Sequence, residues 1–70
     1  MDKEFELSFH RAGRCIDNLT TKGEFAQEVL NVYGFGYDYP TDWTTSIVGG
    51  SLIAQRDTEY GIETISVKEI

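Results

Sequence analysis

Seventy residues, 40% apolar and 26% charged, with seven glycines, one proline and one cysteine, describe one small folded domain over 1–70 and exclude a low-complexity tail. Twelve acidic against six basic side chains give a formal net charge of −6, which argues against direct nucleic-acid binding, where clustered Lys and Arg displace counterions from the phosphates. Cys15 stands alone, so an internal disulfide and a multi-cysteine zinc site are excluded.

No apolar run approaches the ~20 residues needed to span a bilayer, so no membrane association is expected. Met1-Asp2-Lys3-Glu4 is too charged to begin a signal peptide, and the expectation is a soluble, cytoplasmic protein. A chain this short buries only roughly 60% of the surface it exposes when unfolded, so the core should be thin.

Taken in chain order, Lys3 to His10 alternates with Phe5, Leu7 and Phe9 on one side and Glu4, Glu6, Ser8 and His10 on the other, which predicts a half-buried strand. Arg11 to Arg14 reads as a turn, with Cys15-Ile16 either continuing a short strand or anchoring the connection. Thr21-Lys22-Gly23-Glu24 fits a capping box and predicts a helix start. Phe25, Val29, Leu30 and Tyr33 then form one apolar stripe, ending at Gly34 or Gly36, with Glu24 and Glu28 on the outer face.

Tyr37 to Asp42 reads as a loop around Pro40. Thr44–Val48 and Ser51–Arg56 are strand-like, separated by Gly49-Gly50 as a hairpin turn or as a bulge in one bent strand. Asp57 to Gly61 makes a turn, and Ile62 to Val67 supplies a last strand with Ile65 and Val67 on one face. The expected fold is α+β: a two-layer sandwich of order β-α-β-β-β, with one helix packed on an antiparallel sheet.

Chemistry is poorly provided for. His10 is the only histidine, and with Cys15 it lacks a third orienting group, while His10, Cys15 and Asp17 have no metal-ligand spacing. Neither Gly34-Phe35-Gly36 nor Gly49-Gly50 is followed by the glycine and lysine of a phosphate loop. The chain is therefore expected to be no enzyme and to use no metal or cofactor.

Two features stand out. No Lys or Arg occurs between Lys22 and Arg56, and that window holds Glu24, Glu28, Asp38 and Asp42. Tyr33, Phe35, Tyr37, Tyr39 and Trp43, five of the nine aromatic residues, fall within eleven positions of the same window. Tyr33, Phe35 and Trp43 are expected to close the core, leaving Tyr37 and Tyr39 beside Asp38 on the surface. Rings and carboxylates presented together suit a basic protein partner, because aromatics supply contact area and acids speed encounter. The candidate partner-binding set is Glu24, Glu28, Tyr37, Asp38, Tyr39, Asp42 and Trp43.

In size, acidity and want of catalytic groups the chain resembles small phage-encoded anti-defence proteins, anti-CRISPR inhibitors among them, a resemblance of overall style that carries over no residue. It implies a non-enzymatic inhibitor or adaptor, in part a DNA mimic, that docks on a CRISPR complex or nuclease in the host cytoplasm. The series Gly13, Ile16, Leu19, Phe25, Val29, Tyr33, Tyr39, Asp42 and Trp43 is similar to the first half of barstar-type ribonuclease inhibitors, although their glycine-asparagine pair before the second helix is missing. That similarity implies a ribonuclease target. The competing expectation is a structural subunit whose exposed strand edge completes a homodimer or larger assembly.

Overall fold

In the computed structural model, which describes residues 2–35 and 43–70, the alternation that opens the chain becomes strand β1 (Lys3–Arg11). Two-residue turns then make hairpins. Ala12-Gly13, both with left-handed backbone (φ 51° and 80°), folds the chain straight back into β2 (Arg14–Gly23). Gly49-Gly50 joins β3 (Thr44–Val48) to β4 (Ser51–Thr58), with Val48 opposite Ser51. Their φ values of 58° and 83° are those of a tight hairpin turn, which settles the choice against a bulge. Strand β5 (Gly61–Glu69) follows, and the five strands lie antiparallel in the order β2-β1-β5-β4-β3.

The chain is thus mostly a five-stranded antiparallel sheet with one short helix, and the α+β sandwich of order β-α-β-β-β is corrected. The difference lies in β2. Thr21, expected to open a helix cap, instead pairs with Phe5, and Thr20 before it with Glu6, where β-branched residues are well suited to the pleat. Two things hide this strand in the sequence. Alanine is an unusual residue for a left-handed turn position, and a register shift opposite Phe9 and His10 breaks the alternation between Cys15 and Asp17.

The capping box does not form. Helix α1 (Ala26–Val29) has Phe25 at its N-cap with no side-chain cap bond, while Gly23 ends β2, where a Cβ would stand 2.5 Å from Val29 Cγ2. That close approach of helix to strand end is what the glycine permits. After one turn α1 widens into a π-helical stretch, Leu30–Gly34, in which the Phe35 N–H donates to the Leu30 carbonyl at 2.9 Å.

The widening changes which side chains point inward. Val29 and Leu30 are buried, but the next buried residue is Phe35, five positions on, and not Tyr33. Tyr33 and Phe25, both assigned to the apolar stripe, are instead 46% and 64% exposed. Together with Phe5, Leu7, Ala54, Ile65 and Val67, the helical residues form one core on one side of the sheet, and Phe9, Leu19, Ala26, Trp43 and Leu52 pack around it. Among the described residues, no helix is long and apolar enough to cross a membrane.

Candidate functional site

Alternation along the three central strands puts Arg11 on the face of Phe9, Glu63 on the face of Ile65, and Arg56 on the face of Ala54. Because Arg11 pairs with Glu63 and Glu63 with Arg56, the three form a row across β1, β5 and β4. Arg11 donates from Nε and Nη2 to Glu63 Oε2 at 3.0 and 2.8 Å, and Arg56 Nε donates to Oε1 at 2.7 Å. Both carboxylate oxygens are engaged. The Arg56 guanidinium beside Glu63, reinforced by Arg11, holds its carboxyl below the usual carboxylate range against the opposing effect of burial.

Trp43 completes the row. Arg56 Cζ lies 4.5 Å from its ring centroid, and the ring also meets Phe35 at 5.4 Å between centroids with planes tilted by 43°. Beside them is a hollow of about 200 Å³, whose lining includes Phe9, Ile16, Phe35, Trp43 and Arg56. Two guanidiniums against one carboxylate leave one positive charge within this row, and Trp43 packs on the Arg56 end of it.

The register places the other assigned residues relative to it. Gly23 faces Lys3 at one end of the sheet, whereas Thr44, next to Trp43, faces Gln55 at the end where Arg11, Glu63 and Arg56 lie. Glu24 and Glu28 are exposed at the start of the helix, at the Gly23 end. Trp43 and the two glutamates therefore do not share one patch. Tyr37, Asp38, Tyr39 and Asp42 lie outside the described residues.

The glutamates have other neighbours. Phe25, Val32 and Tyr33 are exposed to 64%, 56% and 46%, and no Lys or Arg occurs in the helical segment. Glu28 lies in α1 and Val32 and Tyr33 in the π-helical stretch, while Glu24 and Phe25 immediately precede the helix. The sequence signal for this surface was the same apolar stripe that suggested a core. Extending the alternation of Phe9, Ala54 and Ile65 by one step each gives the inward face for Arg11, Arg56 and Glu63, but not the strand adjacency that joins them.

His10 and Cys15 are brought opposite each other in the register, and Cys15 is exposed, its Sγ 3.6 Å from the Asp17 carbonyl. Among the described residues, no group of three or more His, Cys, Asp or Glu side chains is arranged to hold a metal ion. No protein-family model matches the chain, and neither the curated proteins nor the solved structures yield a match.

Proposed function

We propose that the protein acts by binding another protein, as a non-catalytic inhibitor or adaptor that lays its helix on a basic surface of the partner. One observation carries this: the run from Glu24 to Tyr33, which leads into and forms the helical segment, exposes Glu24 and Glu28 together with Phe25, Val32 and Tyr33 and contains no Lys or Arg. Apolar groups kept in water without a structural task favour an interface, and carboxylates among them select a positively charged one. The partner class that fits is a cytoplasmic protein whose basic surface handles nucleic acid, as a nuclease or a CRISPR complex does. The charge of −6 supports encounter with such a surface by long-range attraction.

The test is affinity capture from host lysate with three baits: wild type, Glu24→Lys/Glu28→Lys, and Tyr37→Ala/Asp38→Ala/Tyr39→Ala. The proposal expects a basic protein retained by wild type at low salt and lost by the first variant. Loss in the second variant as well would extend the binding set to Tyr37, Asp38 and Tyr39. Capture indifferent to reversal of both glutamates would refute the helix as the docking element.

A further inference from the structure

The sheet has two edges, and they are built differently. Strand β2 carries Arg14, Asp17 and Lys22, and its ladder with β1 is broken by a register shift. Charges and irregular pairing are the devices by which edge strands avoid adding another strand. Strand β3 has neither. Its register with β4 is unbroken from Thr44 to Val48, all five of its residues are exposed, and no charged residue or proline occurs from Trp43 to Gln55.

The side chains on this edge are mostly β-branched. Ile47 is 76% and Val48 62% exposed, and beside Ile47 lies a shallow hollow of about 220 Å³ lined by Ala26, Gln27, Gly50 and Leu52. Thr45 and Ile47 pair with Ala54 and Leu52 and so lie on the helix-bearing side, while Thr44, Ser46 and Val48 lie on the open side.

We infer that β3 is the seam of a homodimer, in which it pairs antiparallel with β3 of a second copy about a two-fold axis at Ser46, giving one continuous sheet of ten strands. The charge distribution selects this occupant. Two copies of a chain with net charge −6 repel each other wherever their acids approach, and the stretch from Trp43 to Gln55 is a long segment of the chain free of charge. A strongly charged partner would gain nothing from it. An uncharged, β-branched strand fits, and β3 is itself such a strand.

The two-fold also pairs like with like. Centring on Ser46 sets Thr45 opposite Ile47 of the second copy on one face and Thr44 opposite Val48 on the other, so every pair except the small Ser46–Ser46 contact at the axis is β-branched on both sides. Five residues per strand supply roughly four to six ladder bonds and a small interface. The dimer is therefore a reversible one that forms with rising concentration. This inference is independent of what the helix binds, because Glu24 and Glu28 are not part of the seam.

Sedimentation velocity over a concentration series of ~10 µM to ~1 mM tests it, since mass action governs the dimer fraction. Wild type should rise from 7.9 kDa towards twice that mass. Thr45→Lys/Ile47→Lys places like charges across the axis and should stay at 7.9 kDa at every concentration. Thr45→Lys/Ile47→Glu places opposite charges across it and should associate again, now weakened by salt. Urea midpoints near wild type would show that both variants fold. A wild type of 7.9 kDa throughout, or a double-lysine variant that associates like it, would overturn the inference. Failure of the opposite-charge variant to associate would overturn the Ser46-centred register.

Discussion

The guanidinium of Arg56 lies over the indole of Trp43, its Cζ 4.5 Å from the ring centroid, and its Nε donates to Glu63 at 2.7 Å. One arginine thus ties the start of β3 to the middle of the sheet. Trp43 is half-buried and rests on Phe35 as well. Trp43→Ala should destabilise the fold by about 2–4 kcal/mol, somewhat less than a fully buried ring, and Trp43→Phe by clearly less. Urea unfolding followed by far-ultraviolet circular dichroism measures both.

The Glu63 carboxyl is held low by Arg56 and Arg11, which sets a pH dependence. A carboxyl with a lowered folded pKa stabilises the fold fully above its unfolded value, near 4.5, and loses that contribution as pH falls through the folded value. Glu63→Gln should therefore cost about 1–2 kcal/mol at neutral pH, the gap to wild type narrowing as the solution is acidified below that range. A gap that stays constant from pH 7 to pH 2 in thermal melts would mean that the two arginines do not act on Glu63 in this way.

Gly23 and Val29 meet where β2 gives way to the helix. Because a Cβ on Gly23 would stand 2.5 Å from Val29 Cγ2, Gly23→Ala should cost about 1–3 kcal/mol by overpacking. Adding Val29→Ala should recover part of that loss relative to Val29→Ala alone. Strict additivity in the double-mutant cycle would show that the two residues are not in conflict.

The Gly49-Gly50 turn makes different demands at its two positions. Both have left-handed backbone, and Asn-Gly is the favoured pair for such a turn. Gly49→Asn should leave stability unchanged or raise it by up to about 0.5 kcal/mol, whereas Gly50→Ala should lower it by about 1–2 kcal/mol. Equal effects at the two positions in chemical denaturation would argue for another turn geometry.

Phe25 separates stability from binding. It occupies the N-cap of α1 with extended backbone (φ −135°, ψ 146°), makes no cap bond and is 64% exposed. Serine suits that position better, so Phe25→Ser should stabilise the fold by about 0.5–1 kcal/mol while weakening capture of the basic partner. A destabilised variant with unimpaired capture would show that the ring serves the fold.

Much of the sheet is legible in the residues. Thr44–Val48 is a strand with the same bounds read from the sequence, and the first and last strands differ only by short extensions, to Arg11 and to Gly61 and Glu69. Period-two patterning suffices there because one face is buried. It fails at β2, where the register shift interrupts the alternation and where Thr21 and Glu24 mimic a helix cap. The helix misleads in another way: its apolar residues follow a 3.6-residue period, but the backbone widens at Leu30, so Tyr33 turns outward and Phe35 inward. The charge row is a long-range product. Arg11 and Glu63 are 52 positions apart, and only the adjacency of β1 and β5, which no local pattern encodes, brings them together.

The central claim is that the exposed acidic and apolar residues from Glu24 to Tyr33 are what the protein presents to a basic partner. Its most direct test is the affinity of the purified partner for wild type and for Glu24→Gln/Glu28→Gln, measured across a salt series. The account predicts that binding by wild type weakens steeply as salt rises, and that the neutralised variant binds more weakly at low salt and with a shallower salt dependence. Identical affinities and identical slopes for the two proteins would contradict it.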